Sequence, residues 1–505
     1  MEDEIFNAFC RPVRQLFETI DLNQLSDFEP AFTFNPIVAA GGEAPYTEWD
    51  IVQKITSSEK MISKDKELTN WTVLELLLAV RAGKVNPVDI LTAYHNKISI
   101  VNPYINAFIL TLEPEISTLP EGQLKGVPFG LKDIIDVAGV TTTAGSLQLN
   151  GRIPEQDAEV ANRLMNAGAI LLGKLNTHEF ADGATGDNPH FGPVRNPWNL
   201  NHFSGGSSSG SAAAVAARIA PFALGTDTAG SVRIPASCCG VVGLKPTYGL
   251  VSRSGVLPLS WSLDHVGILS RSVRDAGIIL DVITDRPVGF ENVLAAPINL
   301  EGLRIGIPQN WIENGVELEV RAAFESALEA LRLSGCIISE VKIPSVNDLA
   351  AIARSILFSE ASAWHLPFLK SSPELYGEDV RARKEAGLKF QAFEYINAHR
   401  IRAQYCTEMH NLWSNIDILA TPTTPLVAPS LNAHPKISAD LSRFTIVANL
   451  LGWPAISVPC GFNKEGLPVG IQLIAPPYRE LRLLRVAAAY EDLTLWSSKA
   501  PNLEF

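Results

Sequence analysis

The chain has 505 residues, 46% of them hydrophobic and 19% charged, and a formal charge of −13. That length accommodates roughly two or three average domains or one large domain with an ample core, and the composition excludes wholesale disorder. The acidic balance argues against phosphate-backbone binding as a main role, because nucleic-acid binders carry a basic face, so no nucleic-acid partner is expected.

The opening residues Met1-Glu2-Asp3-Glu4 are acidic where a signal peptide needs positive charge. No apolar run reaches the roughly 18 residues of a membrane span; the best candidate, 212–224, is interrupted by Arg218 and Pro221. The six cysteines (Cys10, Cys238, Cys239, Cys336, Cys406, Cys460) show neither a C-x-x-C pair nor metal spacing. They fit reduced thiols. A cytoplasmic protein without membrane, metal or cofactor is the resulting expectation.

Residues 1–67 carry no sustained periodicity and are punctuated by Pro30, Pro36, Gly41, Gly42 and Pro45; they read as an N-terminal extension packing on the body. Regularity begins at Thr72-Val-Leu-Glu75, a capping-box pattern that predicts a helix over 73–82 ended by Gly83. Asn86 as N-cap and Pro87 in the first turn open a second helix. Asp157 is expected to cap a helix running to Ala167, with Gly168 stopping it and 169–172 forming a buried strand. Further on, 303–307 is strand-like. The stretch 316–333 places Val320, Phe324, Ala327, Leu328 and Leu331 on one helical face, and 336–338 resumes a strand. This alternation predicts an α/β fold with a mixed, mostly buried β-sheet flanked by helices, and no linker cuts it. One large domain over 68–505 follows.

The chemistry is concentrated between residues 126 and 260. At its centre stands Ser204-Gly-Gly-Ser207-Ser208-Ser209-Gly210-Ser211, followed by an alanine-rich run. A flexible loop feeding a helix N-cap explains such a segment taken alone. A P-loop fails, because Ser211 stands where the phosphate-binding lysine belongs. Gly206-Ser-Ser208-Ser-Gly210 matches a nucleophile elbow, but a loop and not a strand precedes it. Ser-x-x-Lys occurs at Ser57 to Lys60 and at Ser63 to Lys66 with no Lys-Thr-Gly to follow.

A wider pattern fits. The glycine–serine segment is followed by Gly225-Thr-Asp227-Thr-Ala-Gly230-Ser231-Val-Arg233-Ile-Pro235 and Gly240-Val-Val-Gly-Leu-Lys-Pro-Thr247. Upstream lie Gly126-Val-Pro-Phe-Gly-Leu-Lys132-Asp133, Thr142-Thr-Ala-Gly-Ser146 and Gly173-Lys-Leu-Asn-Thr-His-Glu-Phe180. Downstream are Ser262-Leu-Asp-His-Val-Gly267, Thr421-Pro-Thr-Thr-Pro425 and Leu467-Pro-Val-Gly-Ile-Gln472. Over about residues 70–495 the chain resembles the amidase signature family.

The resemblance implies a Ser–Ser–Lys triad, with Ser231 as nucleophile, Ser207 (after a cis peptide bond) as proton relay and Lys132 as base. It assigns the oxyanion hole to the backbone N–H groups of Thr228, Ala229, Gly230 and Ser231. Asp227 and Arg233 are expected to brace that loop, and paired Gly205 and Gly206 to free the backbone before Ser207. These residue types suit the chemistry, because a serine hydroxyl needs an adjacent base and burial is what makes a lysine basic at neutral pH. Two spellings depart from the common pattern, Ala229 for the first glycine of Gly-Gly-Ser and Ser204 for a frequent proline. Both bear on pocket shape.

An amidohydrolase acting on a small-molecule amide is therefore expected. A carbamate or urea-derivative hydrolase, or the glutamine-hydrolysing subunit of a tRNA-dependent amidotransferase, stands as the alternative. The stretch 376–405 reads like general amidases and lacks the Tyr-Asp-Gly-x-Arg segment that resembles the glutamine-specific branch. A free-standing enzyme is the expectation, with a homodimer as the fold-level one.

Overall fold

A computed structural model describes residues 67–503, apart from 115–118, 288, 290–298 and 435, together with residues 11, 12, 15 and 16. Ser57, Lys60, Ser63 and Lys66, and nearly all of the N-terminal extension, lie outside the described residues. Of that extension, Leu16 is partly buried against the main core.

The strands are β1 (Phe108–Thr111), β2 (Pro128–Lys132), β3 (Ile170–Leu175), β4 (Arg195–Asn196), β5 (Asn199–Phe203), β6 (Phe222–Asp227) and β7 (Val242–Lys245). They continue with β8 (His265–Ser270), β9 (Arg304–Ile307), β10 (Ile337–Glu340), β11 (Ile418–Pro422), β12 (Ala455–Phe462) and β13 (Pro468–Ile474). Eleven form one sheet in the order β1-β3-β2-β6-β8-β7-β12-β13-β11-β9-β10, while β4 and β5 pair separately. The sheet is mixed: β3, β2 and β6 are parallel neighbours, whereas β6 through β11 alternate in direction. Helices cover its faces, so the middle strands are buried throughout, as near-continuous apolar runs require. This is a single α/β domain, as the alternation in sequence implies.

Local signals account for most helix ends. Glu75 N–H donates to Thr72 Oγ1 at 3.2 Å while Thr72 N–H donates to Glu75 Oε2 at 2.7 Å, closing the expected box before the helix Val73–Arg81. Asn86 Oδ1 accepts from Val88 N–H at 2.9 Å to open Pro87–Ile105. Asp157 is the exception. Its carboxylate accepts from Ala138 N–H at 2.8 Å, so the helix Glu159–Asn166 starts behind Ala158 with no side-chain cap.

Candidate active site

Three parallel strands, β3, β2 and β6, deliver their C-terminal ends side by side, the edge at which open α/β sheets place ligands. Lys132 is the last residue of β2 and is wholly buried. Its Nζ donates to Ser207 Oγ at 2.7 Å and to Thr226 Oγ1, on the adjoining strand, at 2.9 Å. Burial is the largest influence on this amine and brings its pKa down to about 7, against the opposing pull of Asp227 and Asp264. Beside it, Asp133 accepts from Thr143 N–H at 2.9 Å and lies 3.5 Å from Lys174 Nζ, which fixes the turn that follows β2.

Ser207 reaches Lys132 because of the glycines before it. Gly205 has φ +78°, and a Cβ there would lie 2.9 Å from Pro235 Cα. A Cβ on Gly206 would lie 2.9 Å from Gly186 N, and the Gly206–Ser207 peptide is cis, as the resemblance implies. The Ser207 carbonyl is held by Thr177 Oγ1 at 2.9 Å. Ser208, centre of the elbow match, is buried, with its hydroxyl exchanging bonds with the Thr226 backbone at 3.1 and 3.2 Å. It is structural.

The loop after β6 carries Ser231. Ser208 N–H donates to the Ser231 carbonyl at 3.1 Å, which sets the two serine segments against each other. No hydrogen bond joins the Ser207 and Ser231 hydroxyls among the described residues. Apo hydroxyl geometry of this kind commonly tightens only around substrate. Asp227 and Arg233 form the expected brace, at 2.8 Å (Nη2 to Oδ1) and 3.0 Å (Nε to Oδ2), both fully buried. The guanidinium holds the Asp227 carboxyl well below its usual range despite burial. It also donates to Gln472 Oε1 at 2.5 Å and Asn449 Oδ1 at 2.7 Å, and Gln472 Nε2 donates to Thr421 Oγ1 at 3.0 Å. Distant sequence segments thus converge behind the loop.

One member of the expected oxyanion set is already engaged. Gly230 N–H donates to Asp227 Oδ1 at 2.8 Å, which removes it from the donors free to meet a substrate oxygen. Thr228, Ala229 and Ser231 have no such bond from their amides among the described residues. The Ala229 carbonyl is pinned by Thr445 Oγ1 at 2.6 Å, and its methyl lies on the pocket wall.

Ser231 lies on the wall of a pocket shared with Asp182, Arg354, Leu357, Phe358 and Arg383. The acid in it is spoken for: Asp182 Oδ2 is 2.8 Å from Lys384 Nζ, and Arg383 donates to the Asp182 carbonyl and, at 2.8 Å, to Asp379 Oδ2. Across Thr228 and Leu259, which line both spaces, lies a second cavity of about 400 Å³ bounded by Thr226, Arg253, Trp261 and Asp264.

Of the residues singled out in sequence, the structure brings Lys132 and Ser207 together, pairs Asp227 with Arg233 and places Ser231 on the pocket wall. Sequence reasoning missed Thr226, Asp264, Asn449 and the role of Gln472, although Thr226, Asp264 and Gln472 stand inside segments that carried the resemblance. No group of His, Cys, Asp and Glu suited to a metal occurs among the described residues.

The wide mixed sheet, the buried Lys132 beside Ser207 after its cis peptide, and the pocket serine are the features that the resemblance implies for an amide-cleaving enzyme. The family model described as Amidase matches residues 89–484, and the chain belongs to that amidase signature family. In sequence it is similar to a glutamyl-tRNA(Gln) amidotransferase subunit from Halothermothrix orenii, 35% identical over 86% of this chain and all of the relative. Among solved structures it is similar to an amidase, with TM-score 0.77 and 32% identity over 84% of this chain and 99% of that one. A 6-aminohexanoate cyclic dimer hydrolase complexed with substrate matches with TM-score 0.77 and 29% identity over 86% and 99%. The chain is thus a hydrolase of carbon–nitrogen bonds other than peptide bonds.

Proposed function

We propose that the chain cleaves a carboxylic amide through an acyl-enzyme on Ser231, with Ser207 relaying its proton to Lys132. The observation that carries this is the buried Lys132 amine, 2.7 Å from Ser207 Oγ, whose pKa burial lowers to about 7 so that the neutral form predominates above that pH. In that state its lone pair accepts from the Ser207 hydroxyl while Thr226 Oγ1 accepts one of its N–H bonds, and Ser207 Oγ is left to take the proton of Ser231. The amides of Thr228, Ala229 and Ser231 are the donors for the developing oxyanion. The amine leaves with the proton returned from Lys132, and water repeats the sequence on the ester. A fluorophosphonate probe is expected to label Ser231, and Ser231→Ala to lower kcat/KM at least about a thousandfold. Labelling elsewhere, or a near-normal Ser231→Ala rate, rejects the scheme.

The curated relatives favour a second reading over the free-standing hydrolase: the glutamine-hydrolysing subunit of a tRNA-dependent amidotransferase. Glutamine brings an ammonium and a carboxylate that need partners; the pocket's acid, Asp182, is paired with Lys384, while Arg354 and Arg383 on the same wall are cations of the kind a carboxylate takes. The two readings separate on the purified chain. Hydrolysis of neutral amides at least about tenfold better than glutamine supports the free-standing enzyme. Turnover of glutamine alone, or inertness until partner subunits and tRNA are added, establishes the amidotransferase reading.

A further inference from the structure

Asp264 has no part in the scheme above, yet it touches the site from two directions. It immediately precedes β8, whose first residue pairs with Asp227 at the end of β6. One carboxylate oxygen accepts from Thr228 Oγ1 at 2.6 Å. The other accepts from the N–H groups of Leu259 at 2.9 Å and Ser260 at 3.0 Å. Thr228 and Leu259 are the two residues common to the Ser231 pocket and the second cavity, so this carboxylate holds both halves of the partition between them.

The partition is clamped from its far side as well. Glu360, on the helix Val346–Ser371 that supplies Leu357 and Phe358 to the pocket, accepts from Ser260 Oγ at 2.5 Å and from Ser262 N–H at 2.9 Å. The 259–262 segment therefore cannot drift without dragging the pocket wall. Thr228, by contrast, is tied to it through the Asp264 carboxylate.

Charge points the same way. The carboxylates acting on Lys132 are Asp227 and Asp264. Asp227 is matched by a bidentate Arg233, with Lys245 also acting on it, whereas Asp264 accepts from one hydroxyl and two amides, and the cation acting on it is Arg253 on the cavity wall. His265 Nδ1–H donates to the Leu263 carbonyl, 2.7 Å away, and burial keeps its ring neutral. Asp264 is thus the less compensated carboxylate near the base; burial raises its pKa to about 6, so it carries its charge above that value, where Lys132 loses its proton.

We propose that Asp264 is a positioning residue for amide cleavage: through the Thr228 hydroxyl it fixes the first donor of the oxyanion loop, and its charge biases the proton on Lys132. The inference rests on the acyl-enzyme reading, but its test is separate, since Ser231 labelling decides that reading independently. The measurement is kcat and KM from pH 5 to 10 for wild type, Asp264→Asn, Thr228→Val and Thr228→Ser. Removing the carboxylate charge makes Lys132 easier to deprotonate, so in Asp264→Asn the acidic limb moves to lower pH by roughly half a unit to one unit. At pH 9, where Lys132 is neutral regardless, Asp264→Asn and Thr228→Val each lower kcat about tenfold with little change in KM, as loss of oxyanion alignment requires. Thr228→Ser, which keeps the hydroxyl, restores it. An acidic limb that stays in place in Asp264→Asn overturns the electrostatic part, whatever the rate loss. Full kcat in Thr228→Val overturns the positioning part, and remains measurable if Asp264→Asn does not fold.

Discussion

Lys132 sits in the protein as an amine that water cannot reach, and its proton is the variable that pH controls. The proposed mechanism needs the neutral form, which predominates above the depressed value of about 7 and is lost below it. The rate is therefore expected to climb with pH through that value and then level, falling about tenfold per unit on the acidic side. Lys132→Ala is expected to lose at least about a thousandfold and to flatten the limb; a limb that persists in this variant assigns the titration to another group. Two buried histidines, His265 and His365, have their pKa pushed far down by burial, so neither titrates along this limb. At this scale the sequence was most legible where a reacting atom demands a residue type. In the proposed mechanism the nucleophile and its base are restricted to serine and lysine, whereas Thr226 and Asn449 read in sequence as ordinary polar residues. Nothing in a single chain distinguishes a hydroxyl that holds Lys132 from one that faces water.

Helix Ser209–Ala216 shows how an element serves the site by being featureless. Every residue in it is buried, and small side chains let it lie close to its neighbours. Gly210 marks the tightest approach, where a Cβ would stand 2.3 Å from the Ala107 carbonyl oxygen and 2.6 Å from Asn176 N. Gly210→Ala is expected to cost about 1–3 kcal/mol, seen as a lower urea midpoint with an unchanged slope. It should also depress kcat, since Ser207 lies three residues upstream. Denaturation unaffected by the substitution would mean that the backbone relaxes there without cost. The elements themselves were readable wherever backbone chemistry is local. Thr72 and Glu75 satisfy each other within one turn, so their pattern predicts the helix start correctly. Asp157 has the same composition signal, but its carboxylate is claimed by Ala138 N–H, 19 residues away in sequence. That long-range competition is invisible to a capping rule.

For the molecule as a whole, one sheet carries both the strands of Lys132 and Thr226 and segments that brace the Ser231 loop. Leu16 packs on the core, while the body is tied down from Thr69 onward, whose carbonyl accepts from Arg271 Nη1 at 2.6 Å. A chain starting at residue 67 is expected to unfold at lower temperature and to keep kcat/KM within about threefold. A thermal scan beside a rate assay checks both, and loss of turnover in the folded truncation would give the extension a part in the site. The Arg233 guanidinium has a different implication. It gathers Asp227, Asn449 and Gln472 around one buried charge, and so ties the Ser231 loop to residues more than 200 positions later. During synthesis, Lys132, Ser207 and Ser231 all emerge long before that clasp can close. A growing chain holding the complete triad would still lack a shaped oxyanion loop, so hydrolytic competence arrives only when nearly the whole polypeptide has left the ribosome, and no N-terminal fragment ending before Asn449 should turn over substrate.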